Sequence, residues 1–206
     1  MKMKKGFTLL ELLIVIGILA ILSTTMIIVI NPAEILRKAR DSQRISDLAS
    51  LKTAIAYYIT NAASPSIGND TYSYSVITGT TCGGPTRTTT STTSQLVDGT
   101  GWIPVNFATL SGGSPIGSLP IDPNPTALTP GAGNGRARYY AYVTNVSDLT
   151  FEIVANMEST YYSNGGDGDI ESKDGGVTAL AKLYETGTKL GIVTVSSTTC
   201  LAGDGT

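Results

Sequence analysis

Between Phe7 and Ile30 the chain runs for 24 residues with one charged side chain, Glu11. An apolar stretch of about 20 residues is long enough to cross the hydrocarbon core of a bilayer as a helix. The lysines ahead of it, Lys2, Lys4 and Lys5, favour the cytoplasmic side. Glu11 is the anomaly. An acidic residue in a membrane helix costs up to about 3 kcal/mol near the centre, so it needs a partner or a task. One task is local: Thr8-Leu9-Leu10-Glu11 fits the capping box, in which two side chains satisfy free amides at a helix start.

The rest of the chain has room for one globular domain of ordinary size, since the whole is 206 residues. Histidine is absent, which removes the commonest general base and the commonest metal ligand. No serine sits in a recognisable nucleophile motif, so an enzyme is not expected. A formal charge of −2 gives no support for general nucleic-acid binding. Cys82 and Cys200 lie far apart, without the close-pair spacing of a zinc site. If the lysines stay inside, both cysteines face an oxidising space, where they form a disulfide or remain two buried thiols.

Asn31-Pro32-Ala33-Glu34 interrupts the apolar helix. Proline removes a backbone hydrogen bond and clashes with the preceding turn. Asn, Pro and Glu at these spacings also read as the cap, first residue and first-turn carboxylate of a new helix. The pattern then turns amphipathic to Asn61, with Ile45, Leu48, Leu51, Ile55 and Tyr58 recurring at three- and four-residue steps. Arg37, Lys38, Arg40 and Arg44 form a basic cluster that reads as a solvated helix face, or as a contact for anionic lipid or acidic neighbours. Residues 7–61 as helix would reach roughly 80 Å, half of it in lipid and half forming the spine of a head.

Beyond residue 61 the pattern is one of strands and loops. Tyr72–Val76, Tyr139–Val143 and Thr150–Ala155 read as strands, with a turn at Asn145–Asp148, and Lys189–Val195 as a last strand. Thr78–Ser94, rich in Thr, Ser and Gly, reads as a surface loop, and Gly112–Gly135 as an extended connection. The fold class is α+β: a long N-terminal helix packed on a small antiparallel sheet.

The N-terminus resembles that of type IV pilins and type II secretion pseudopilins. In those families a basic leader ends in Gly and a membrane-embedded peptidase cuts after it. The new first residue, usually Phe, is N-methylated, and a Glu stands at the fifth mature position. Gly6, Phe7 and Glu11 occupy these positions here, in the run Gly-Phe-Thr-Leu-Leu-Glu. An ordinary secretory signal would place small residues after the apolar stretch instead. The resemblance implies cleavage between Gly6 and Phe7, methylation of Phe7, and pairing of Glu11 with the Phe7 amine of a neighbouring subunit. Losing the leader would take the formal charge from −2 to −5.

Leu119-Pro120-Ile121-Asp122-Pro123, the Tyr-rich strand, Phe151-Glu152 and Glu158 follow an order similar to the heads of major pseudopilins. The Thr-rich loop and the tail to Thr206 depart from that compact pattern. Asp167, Asp169, Glu171 and Asp174 form an acidic stretch that begins like an EF-hand loop. Ser172 stands where its glycine belongs and Thr178 where its final Glu should be. It is therefore a solvated acidic turn or a looser calcium site, and the resemblance to calcium-binding pseudopilins raises the second. Asn69-Asp70-Thr71 and Asn145-Val146-Ser147 match the glycosylation sequon, a pattern that recurs by chance.

The expected organisation is a leader at 1–6, a transmembrane and assembly helix at 7–30, its amphipathic continuation at 31–61, and a pilin-like head at 62–206. The expected function is that of a structural subunit of a type IV pilus-like or type II secretion pseudopilus filament. Its partners would be copies of itself, other pilin-like subunits, prepilin peptidase, inner-membrane assembly machinery and membrane lipid, with no nucleic acid. It would be a single-pass protein of the cytoplasmic membrane with its head outside, then part of an extracellular or periplasmic filament. No cofactor is required, calcium being the candidate. The rival class is a membrane-anchored extracytoplasmic binding module that does not polymerise.

Overall fold

Two helices open the chain, α1 at Leu9–Ile30 and α2 at Pro32–Asn61. The computed structural model describes residues 6–70, 72–75, 89–125, 138–172 and 183–193. It divides into two compact units, Met1–Arg37 and Lys38–Thr206.

In the first unit, Thr8 caps α1 and its side chain accepts from the Glu11 amide. Helix α1 has no polar face, and its large apolar side chains from Leu9 to Met26 stand 48–81 % exposed. A helix that is apolar all round is built for a core or for lipid, and Leu9–Met26 is long and apolar enough to cross a membrane. The expected interruption falls at Asn31, whose φ of 43° and ψ of 75° put it in the left-handed region. Asparagine tolerates that region better than most residues. Its carbonyl and its Oδ1 both accept from the Glu34 amide, at 3.0 and 3.4 Å, so one residue closes α1 and opens α2. Pro32, which lacks the amide that would go unpaired, occupies the first position of α2.

In the second unit, α2 buries Asp41, Arg44, Leu48, Leu51, Ala54, Ile55 and Tyr58. Ile45, expected on that face, is only half-buried. Against it pack Trp102, Ile103, Val105, Phe107 and Leu119 from the long connection, and Tyr140, Tyr142, Phe151 and Ile153 from the sheet. The 3-10 turn Phe107–Thr109 sets the Phe107 ring edge-on to Tyr58 at 5.7 Å. The tyrosines bury their rings and satisfy their hydroxyls. Tyr142 donates to the Ile67 carbonyl and Tyr140 to Asp47, each at 2.7 Å.

Among the described residues the sheet has five strands: β1 (Tyr72–Tyr74), β2 (Thr89–Ser91), β3 (Ala141–Asn145), β4 (Thr150–Ala155) and β5 (Tyr184–Gly187). Their order is β2-β1-β3-β4-β5. Only β1 and β2 run parallel; the other neighbours are antiparallel. The expected α+β class holds, and three local expectations are corrected. Thr89–Ser91 of the Thr-rich tract is an edge strand, as β-branched threonine suits a pleated edge. The Tyr-rich strand is shifted to Ala141–Asn145. The last described strand is Tyr184–Gly187, because the later segment serves a carboxylate instead. The amides of Gly191, Ile192 and Val193 all donate to buried Glu152.

Candidate functional site

The first candidate site is the junction at the start of α1. Gly6 and Phe7 precede the helix, both exposed, Phe7 to 88 %. A Cβ built at Gly6 would meet nothing within 4 Å among the described residues. Behind it the capping box is complete. The Thr8 amide and the Thr8 hydroxyl both donate to Glu11 Oε2 at 2.9 Å, and the Glu11 amide donates to Thr8 Oγ1 at 3.2 Å. Among the described residues no hydrogen bond reaches Glu11 Oε1. The arrangement can offer an accessible backbone to a peptidase and, behind it, a carboxylate with one oxygen held and one open.

The second is a charge cluster inside the head. The basic cluster expected as a solvated face is corrected here for Arg40 and Arg44, which are committed to acidic partners, while Arg37 remains exposed. Arg44 is fully buried. Its guanidinium grips Asp122 with two bonds of 2.7 Å, meets Asp41 at 2.7 Å and reaches Glu158 at 2.6 Å. Arg40 forks onto both oxygens of Glu158. Arg37 faces Glu34 at 3.7 Å, and the Lys38 ammonium sits 4.3 Å from the centre of the Tyr161 ring. Asp41 completes the joint by accepting the amides of Glu158 and Ser159. Three separate stretches of chain thus meet at one guanidinium: α2, the Leu119–Asn124 connection, and the segment after β4.

The electrostatics follow from that geometry. Burial alone would lower the Arg44 pKa, but the hydrogen bonds and charge of Asp122, then Glu158 and Asp41, outweigh it and raise it. Burial alone would raise the Glu158 pKa, and the bonds from Arg40 and Arg44 reverse this, holding it at about 2. Both groups stay charged. Asp122 and Glu158 entered the sequence reading only through a resemblance. The missed signal lay in the periodicity: Asp41 and Arg44 fall on the same three- and four-residue stripe as Leu48, Leu51, Ile55 and Tyr58.

The acidic stretch lies partly outside the described residues, which include Asp167, Asp169 and Glu171 but not Asp174. Asp167 is exposed, whereas Asp169 and Glu171 are buried. Asp169 accepts the amides of Gly165 and Ser172 and the Ser172 hydroxyl. That hydroxyl first, then the Gly165 amide, lowers its pKa to about 2. Glu171 spends one oxygen on the Met157 amide and the other on the Asn164 amide, each at 2.9 Å. These carboxylates brace their own loop. Gly166 is needed in it, since a Cβ there would meet the backbone carbonyls of Thr160 and Tyr161. Among the described residues no three or more acidic, His or Cys side chains form a metal-holding group. Cys82 and Cys200 lie outside the described residues.

Residues 1–27 match the family model of the prokaryotic N-terminal methylation motif, the signature of type IV pilins and pseudopilins. No curated protein and no solved structure matches the chain. The match spans the lysines, Gly6, Phe7, Glu11 and nearly all of α1, and stops short of the head.

Proposed function

We propose that this chain is a structural, non-enzymatic subunit of a helical filament, of either the type IV pilus or the secretion pseudopilus kind. The observation that carries the reading is the methylation motif set on a helix whose apolar side chains are exposed from Leu9 to Met26. Such a surface needs lipid or copies of itself. In the membrane, α1 satisfies its backbone internally and turns its side chains to the acyl chains. In a filament, the same side chains meet those of neighbouring α1 helices and stay dry. Contacts that repeat head to tail without closing give an open helical assembly.

Prepilin peptidase would cut between Gly6 and Phe7, and the Phe7 amine would be methylated. That amine is a cation, and Glu11 of a neighbouring subunit is its counter-charge. Two opposite charges that meet in a low-dielectric core lose much of the penalty each bears alone. The head stands on the far side of the membrane from the lysines.

Two measurements test this. Intact mass of membrane-extracted protein should begin at Phe7, and Gly6→Leu should leave the precursor uncut. A mature protein retaining Met1–Gly6 in a host with prepilin peptidase refutes processing. Glu11→Ala should be processed and inserted but should yield few filaments by electron microscopy. Normal filament abundance from that variant refutes the pairing. Correct processing without filaments under any condition would favour the membrane-anchored binding module.

A further inference from the structure

We propose that Thr8 is a positioning residue for Glu11: its hydroxyl holds Oε2 against the start of α1 and leaves Oε1 presented to the amine of an incoming subunit. The inference rests on the filament reading above. Its basis is the asymmetry of the capping box. Thr8 N and Thr8 Oγ1 converge on Oε2 at 2.9 Å each, while no described hydrogen bond reaches Oε1. Both bonds fall on one oxygen, so they fix the carboxylate's orientation without engaging Oε1.

Every atom of the cap belongs to Thr8 or Glu11, so removing residues 1–6 leaves it whole. The new amine would arise at Phe7, one residue ahead of it. A free Glu side chain samples several rotamers, and fixing one of them beforehand lowers what must be ordered on association. The helix start adds to this, because its open amides favour a carboxylate in the first turn. Thr8 would therefore act before assembly, by presetting the acceptor, and would make no contact of its own with the neighbour.

The experiment uses the full chain in its producing cells, with Thr8→Val, Thr8→Ser and Glu11→Ala beside the natural sequence. Processing, membrane insertion and the yield of sheared filaments are read for each. Valine matches the shape of threonine and lacks the hydroxyl. Thr8→Val is expected to be cut and inserted normally but to lose filament yield about five-fold, the factor that corresponds to losing a helix cap. Thr8→Ser should restore most of the yield. Normal yield from Thr8→Val, or equal loss from Thr8→Ser, overturns the proposal while leaving the Glu11 pairing intact. An uncut Thr8→Val precursor also overturns it, since Thr8 would then act in processing. Normal filaments from Glu11→Ala would instead remove the reading on which it rests.

Discussion

Arg44 shows how much one side chain can gather. It makes four hydrogen bonds to three carboxylates from different parts of the chain, with Asp41 and Asp122 buried like Arg44 itself and Glu158 partly so. Removing one partner of a buried ion pair leaves the others uncompensated, at about 3–5 kcal/mol. Arg44→Met should destabilise the head by that amount. Arg44→Lys should recover little, because an ammonium cannot make the two-pronged contact with Asp122. The readout is the fluorescence of Trp102, the one tryptophan and a buried one, during denaturation of the full chain in detergent. The same cluster sets an acid limit. Glu158 is held at about 2 against an ordinary 4.5, so the folded state binds its proton more weakly than the unfolded state. Its contribution is complete above about pH 4.5 and is lost as pH falls toward 2. The unfolding temperature should drop through that window, and Glu158→Gln should flatten the drop while lowering stability at neutral pH.

The helices separate what is locally encoded from what needs a partner. The break at Asn31 is local: a left-handed asparagine before a proline, with both its acceptors turned to the next helix. Asn31→Gly should keep the break, since glycine enters the left-handed region without strain. Asn31→Val should cost about 1–2 kcal/mol and speed amide exchange at Glu34 and Ile35, because a Cβ-branched residue resists that conformation. Unchanged exchange in the valine variant would mean that the cap carries no energy. Further along, α2 depends on packing. Leu51 is fully buried against the core, and Leu51→Ala should cost about 2–5 kcal/mol by the same Trp102 readout.

For the whole molecule, the two cysteines offer the longest covalent tie available. A Cys82–Cys200 disulfide would close a loop worth about 4–5 kcal/mol on entropic grounds. Alkylation of the exported protein without reductant should then label neither cysteine; two labels mean free thiols. The N-terminal third of the chain was legible from residues alone. The apolar run, the Thr8–Glu11 capping box, the Asn31–Pro32 break and the amphipathic stripe are all encoded within one or two helical turns, where local geometry is fixed by neighbours in sequence. The β3–β4 hairpin was nearly so, its turn residues lying between two β-rich runs. The Arg44 cluster, the parallel β1–β2 pair and the fate of residues 191–193 were not. Each joins groups 17 or more residues apart, and a charge on an apolar stripe reads as an exception until its partners are brought beside it. Asp122 and Glu158 become partners of Arg44 only when the chain folds back on α2, and the fully buried guanidinium is stable there because all three carboxylates arrive together.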